Sequence, residues 1–271
     1  MRGIIIAAGR GMRMRPLTED QPKCLLPIAG RTLLDWTIDG LRGAGCDEIV
    51  MVTGHAADAI DRADIVTVRN DDYENNNILH SLMYARDYLD RDCIVSYSDI
   101  WVEPHIFRAL GNAAGDIRIA ADTDWTPYYL NRSQHPIEEA ENVFLEPGTK
   151  RVVRIGKHLV PEQAGHLLCA EFLGLWAMTA TGAARFRDAF GAIDRETDPT
   201  APFQAAREWR KAYITDMVQH LVDGGAAVDA VTIERGWAEL DTQQDYDRLL
   251  DIADRQRLTT LTDWKAVAGA I

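Results

Sequence analysis

The chain has 271 residues, 46% of them hydrophobic and 26% charged, a balance that belongs to a folded globular protein and not to a disordered tail. Its 29 Lys and Arg against 42 Asp and Glu leave a net charge of −13, the opposite of what a polyanion demands. Nucleic acid is thereby excluded as a partner and anionic membrane surfaces are disfavoured.

The predicted elements begin with a buried strand over residues 3–8. An amphipathic helix follows over 32–43, with Leu33, Leu34, Ile38 and Leu41 on one stripe and glycine at its end. Strands at 48–53 and 65–69 flank a short helix at 56–61. A helix at 78–89, a strand at 93–97, a helix at 103–110 opened by Pro104, and a strand at 117–121 complete a βαβ series. Ligands of such sheets bind beyond the carboxyl ends of the strands. Strands at 142–144, 152–155 and 172–177 read as a mixed or antiparallel extension. Helices at 181–190 and 203–221, strands at 228–232 and 238–240, and helices at 243–255 and 261–270 finish the chain. The fold expected is α/β in a single domain, residues 1–125 forming a nucleotide-binding half and 126–271 an acceptor-binding half. Cys24, Cys46, Cys93 and Cys169 form no CxxC pair, so neither a disulfide framework nor a zinc site is indicated. With no long apolar segment or cleavage signature at the N-terminus, the expected location is cytoplasmic.

The densest signal is residues 5–28, IIAAGRGMRMRPLTEDQPKCLLPI. Ala7, Ala8, Gly9 and Gly11 allow close backbone approach, and glycine admits the positive φ that turns successive N–H groups into an anion nest. Arg13 and Lys23 add full charges beside it, an arrangement suited to a triphosphate. It is neither a Walker A loop, lacking GK[ST], nor a dinucleotide fingerprint, since Met14 stands where the third glycine belongs. The run resembles the signature AAGxGxRMxPLTxxxPKxLLPI of the sugar-phosphate nucleotidyltransferases and their cytidylyltransferase relatives. That resemblance implies a Rossmann-like α/β sheet, a loop wrapped around a nucleoside triphosphate, and Arg13 and Lys23 on its phosphates as the catalytic cations.

Nucleotidyl transfer is mainly positioning and charge neutralisation, so a Mg²⁺ cofactor held by one or two carboxylates is expected. Asp99 follows the strand at 93–97, where it could equally be a turn or helix-cap residue. Glu239 and Asp241 would share one strand face, although Asp241-Thr242 could simply cap the next helix. The family carries an aspartate after a central strand and a late E-x-D before a final helix. The resemblance therefore implies Asp99 and Asp241 as metal ligands.

Residues 73–82, YENNNILHSL, resemble the N-N-x-x-S-L stretch of bacterial phosphocholine cytidylyltransferases, placing Asn76 and Ser81 near the base. An asparagine-rich turn capping the 78–89 helix explains the same residues. Ser96–Ile100, Asp122–Trp125, Arg132, His135-Pro136 and Ala140-Glu141 resemble the phosphonate cytidylyltransferases. Trp125, Glu171, Tyr213 and Asp216, with Glu239, are candidates for binding a cationic headgroup, though Trp125 and Tyr213 could equally be packing aromatics. A hydroxylated or phosphorylated acceptor would recruit Arg132 or Lys157 instead. Primary amine, quaternary amine and hydroxyl are not distinguished by these residues. The implied partners are CTP and a small phosphonate or phosphoalcohol, with a sugar-1-phosphate plus UTP, dTTP or GTP as the alternative. A homodimer is left open. His55, His80 and His158 read as packing or surface residues, because an acceptor oxygen already anionic near neutral pH requires no base, and Cys24 reads as a small buried residue, since nothing pairs it with a base.

Overall fold

A computed structural model describes residues 1–256; the helix predicted over 261–270 lies outside the described residues. The centre of the sheet is β1 (Arg2–Ala7), buried at every position. It is flanked in parallel by β2 (Glu48–Thr53) and β4 (Cys93–Tyr97), and β2 carries the edge strand β3 (Val66–Arg69). The continuous apolar run of β1 follows from this place, because successive side chains point to opposite faces and both faces are covered. Ile4, Ile6, Val50 and Val95 pack on one face with Leu79, Leu82, Phe186 and Met217. Ile5, Met51 and Ile94 pack on the other with Leu34, Leu41 and Phe107. Each such fully buried side chain contributes roughly 1.5–3 kcal/mol.

Helix α1 (Leu33–Gly43) joins β1 to β2 and is opened by a capping box. Thr32 Oγ1 accepts from Asp35 N at 3.1 Å, and Asp35 Oδ2 accepts from Thr32 N at 3.1 Å. The helix predicted over 78–89 is regular only in α2 (Ile78–Met83), and a 3₁₀ turn at Arg86–Tyr88 completes it. A short strand that the sequence reading did not predict, β5 (Ile100–Val102), precedes α3 (Pro104–Asn112). Next comes β6 (Ile117–Asp122), fully buried.

The second half adds the antiparallel extension. Strands β7 (Glu141–Leu145), β8 (Val152–Lys157) and β9 (Leu168–Met178) extend the same sheet, in the order β8-β7-β9-β4-β1-β2-β3. The long β9 pairs antiparallel with β4, β6 and β7, and its register shifts between Phe172 and Trp176. Within that shift Gly174 has φ +78°, and an added Cβ would lie 2.2 Å from the Tyr97 ring. Only glycine fits there. Helix α4 (Ala180–Glu196) follows.

The helix predicted over 203–221 is corrected to α5 (Ile214–Asp223), preceded by a 3₁₀ turn at Trp209–Lys211. Apolar spacing through residues 203–212 imitates a helical period. Gln204, however, has φ +51°, and the backbone N–H groups of Ala205 and Tyr213 are drawn onto the Asp216 carboxylate at 3.0 and 2.8 Å. Strand β10 (Val228–Ile233) pairs in parallel with β6. Strand β11 (Trp237–Glu239) pairs antiparallel with β5 in a separate ladder before α6 (Gln243–Gln256). The whole is the mixed, Rossmann-like sheet flanked by helices that the resemblance implied. Among the described residues no helix is long and apolar enough to cross a membrane.

Candidate active site

Chain ends of β1 and β4 open into a cleft lined by Ala7, Ala8, Gly9, Gly11, Lys23, Asn76, Ser81 and Asp99. Every residue nominated from sequence for the nucleotide, except Arg13, lines it. Gly11 takes the left-handed conformation, φ 58°, and its carbonyl accepts from Thr18 Oγ1 at 2.8 Å, which closes the loop on itself. Gly9 does not need positive φ; an added Cβ there would meet nothing within 4 Å. Asn76 and Ser81 are tied to Asn70, a buried residue the sequence reading missed. Asn70 Nδ2 donates to Asn76 Oδ1 at 3.0 Å and to Ser81 Oγ at 2.9 Å. Asparagine capping of α2 does not occur. Asn77 holds the cap position, but its side chain donates to Lys211 O at 2.9 Å.

Asp99 and Asp241 converge. Strands β5 and β11 place Glu239 opposite Ile100, and Leu240 N donates to Asp99 O at 2.7 Å. The two carboxylates then meet a single nitrogen: Lys23 Nζ lies 3.0 Å from Asp99 Oδ2 and 3.0 Å from Asp241 Oδ1. Neither aspartate caps a helix. Glu103 precedes α3, and Thr242 Oγ1 accepts from Asp245 N at 3.2 Å at the start of α6, leaving Asp241 free to face Lys23.

Burial opposes charge on Lys23, but the flanking carboxylates outweigh it and hold the ammonium above its ordinary pKa. Burial likewise opposes ionisation of Asp241, yet Lys23, His135 and Arg13 together hold it well below the usual carboxylate range. Two hard oxygen donors converging on one cation suit Mg²⁺, and the Lys23 ammonium marks the point where positive charge is wanted. His135 Nδ1, 3.0 Å from Asp241 Oδ2 and 3.4 Å from Glu239 Oε2, was not nominated as a site residue. With Glu239 and Asp241 it forms a second group able to ligate a cation.

A second cavity adjoins the first, sharing Asn77, Ile78 and Asp99 with it. Its wall includes Arg13, Tyr129, Glu141, Lys157, Glu171, Tyr213, Glu239 and Asp241. Arg13 stands at this junction, ion-paired to Asp241, and not inside the first cleft. Glu239 accepts from Arg132 Nη2 at 2.9 Å. Arg132 itself is wholly buried against Asp245 and does not reach the wall.

Two expectations need correction here. Trp125 is buried behind the wall, edge-on to Tyr129 with ring centroids 5.7 Å apart. Asp216 is consumed by the backbone donors that start α5. Tyr213 does face the cavity, but Lys157 Nζ covers its ring at 4.8 Å from the centroid. Burial pushes Glu141 up to about 7 against the pull of Lys157, with Glu239 adding to the rise. Tyr97 Oη donates to Glu141 at 3.3 Å. Cys24 is buried and its thiol is pushed up to about 12, as befits a packing residue. His80 packs between Phe190 and Trp209.

Comparison with known proteins shows what the chain is similar to. The family model of the MobA-like NTP transferase domain matches residues 3–161. The CTP:phosphoglutamine cytidylyltransferase of Campylobacter jejuni is 28% identical over 258 residues, 91% of this chain and 98% of that protein. The choline-phosphate cytidylyltransferase of Haemophilus influenzae is 34% identical over 141 residues, 49% of this chain and 60% of that protein. The solved CTP:phosphocholine cytidylyltransferase of Streptococcus pneumoniae shares the fold, with TM-score 0.70 and 21% identity over 93% of this chain and 98% of that one.

Proposed function

The chain belongs to the MobA-like NTP transferase family and is a nucleotidyltransferase, and from that premise we propose a CTP-dependent cytidylyltransferase that joins CMP to a small phosphonate or phosphoalcohol and releases pyrophosphate. One observation carries the reading: Lys23, Asp99 and Asp241 form a single cluster where the loop-lined cleft meets the second cavity. Relatives named for cytidylyl transfer support CTP as the nucleotide.

In this reading the backbone of Ala7–Gly11 and the Lys23 ammonium hold the triphosphate. Arg13, half exposed on its 3₁₀ turn, leaves Asp241 for the phosphates. The acceptor's anionic oxygen attacks the α-phosphorus in line; the new P–O bond forms as the bond to pyrophosphate breaks. No general base is needed. Asp99 and Asp241 would hold the Mg²⁺ ion, which supplies neutralisation of phosphate charge. Lys23 orients the same phosphates through preorganised charge.

The test is pyrophosphate release across CTP, UTP, dTTP and GTP, each with phosphocholine, 2-aminoethylphosphonate or a hexose-1-phosphate. CTP-specific turnover with a small headgroup is the expected result. Turnover confined to UTP, dTTP or GTP with the hexose phosphate would overturn it.

A further inference from the structure

Resting on that reading, the geometry points to an acceptor that presents a primary ammonium to Glu171, and to discrimination against a quaternary one. Glu171 lines the acceptor cavity although it is only 3% exposed. Its Oε1 accepts from Tyr129 Oη, whereas Oε2 is buried without a hydrogen-bond partner among the described residues. A buried acceptor oxygen in a substrate cavity calls for a donor on the substrate, and an ammonium N–H supplies one. A trimethylammonium has none and would leave the oxygen unsatisfied.

The charges agree with this assignment. Asp99 and Asp241 share Lys23, Glu239 pairs with Arg132, and Lys157 offsets Glu141 and approaches Glu139 at 3.8 Å. Glu171 has no ion pair among the described residues, and burial lifts its carboxyl well above the ordinary range. A bound ammonium is the counter-charge that draws this carboxyl down to its ionised, hydrogen-bond-accepting form. Quaternary amines are otherwise recognised on aromatic faces. Of the two aromatics the sequence offered for that role, Tyr213 carries the Lys157 ammonium on its face and Trp125 lies behind Tyr129, whose own ring carries the Arg132 guanidinium at 5.1 Å, so a methylated cation meets like charge at Tyr213 and again at Tyr129.

The experiment compares kcat/KM, with CTP and Mg²⁺, for 2-aminoethylphosphonate, its N,N,N-trimethyl analogue and 2-hydroxyethylphosphonate. The primary amine should exceed the trimethyl analogue by tenfold to a hundredfold, the range set by leaving a buried acceptor unsatisfied, and the hydroxyl compound, which donates a hydrogen bond but brings no charge, by about fivefold to tenfold. Glu171→Gln should raise KM for the amine, leave KM for CTP unchanged and bring the three substrates within a few fold. Should that variant misfold, the substrate series on the wild-type enzyme decides alone. Equal or better turnover of the trimethyl or hydroxyl compound overturns the inference while leaving cytidylyl transfer intact. No turnover with CTP, but turnover of a hexose-1-phosphate with another nucleotide, removes both.

Discussion

Replacing Lys23 by methionine removes the cation that, among the described residues, touches both Asp99 and Asp241, each at 3.0 Å. Two effects follow, with different remedies. In the resting protein two carboxylates face each other with their shared counter-charge gone. Removing one member of a buried ion pair costs roughly 3–5 kcal/mol. Arg13 and His135 still neutralise Asp241, which points to the lower end, about 3 kcal/mol. For a chain of this size that lowers Tm by about 6–12 °C. A divalent ion between the two aspartates replaces the lost charge, so Mg²⁺ should restore much of the loss that is seen in EDTA. In the reaction, losing one preorganised contact to the transferring phosphate costs about 3 kcal/mol. That corresponds to a roughly hundredfold fall in kcat. Thermal unfolding in EDTA and in Mg²⁺, together with steady-state pyrophosphate release at saturating CTP, reads both effects. Wild-type turnover, or a Tm loss indifferent to Mg²⁺, would refute the shared role assigned to this lysine.

Asp99→Asn and Asp241→Asn should each lower kcat by a hundredfold or more, with added Mg²⁺ concentration only partly compensating. Asp241→Asn should also cost more stability in a melting experiment, because it takes the carboxylate from Arg13 and His135 and leaves Lys23 with Asp99 alone. Gly174→Ala combines a left-handed φ of +78° with a 2.2 Å clash against Tyr97. It should destabilise by about 2–5 kcal/mol in denaturant titration and raise KM for the acceptor. Glu141 rises from an ordinary value near 4.5 to about 7. The folded state therefore holds this proton more tightly than the unfolded state does. Its contribution to stability is complete below pH 4.5 and is lost as pH climbs through 7, by up to about 3 kcal/mol. Glu141→Gln should flatten that part of the stability–pH curve; parallel wild-type and variant curves would disprove it.

The glycine loop was legible because its chemistry is local: the small residues, Arg13 and Lys23 lie within one short run. The parallel core was legible too, since a strand buried on both faces must be apolar at every step. The meeting of Asp99 with Asp241 was not readable from spacing, and only the resemblance paired them. Its cause is the β5–β11 ladder, whose short strands carry almost no periodic signal. Asn70, Tyr129 and the His135 side chain escaped as site residues because they sit in turns and irregular segments, where no repeating pattern marks which way a side chain points. Trp125 and Asp216 misled for the converse reason: a residue type suited to a headgroup serves packing or backbone capping equally well. Asp216 is the clearer case, because each of its carboxylate oxygens accepts from a main-chain donor at the start of α5.

The separate β5–β11 ladder works as a clasp. It grips the chain just after Asp99 and again just before Asp241, so the phase between the two carboxylates is fixed by three residue pairs. Everything threaded between, including the strands and turns that shape the acceptor cavity, can be lengthened, shortened or exchanged without retiming the acidic pair. A one-residue slip in the clasp would do the reverse, turning Asp241 away from the phosphates and taking the Glu239 part of the cavity wall with it.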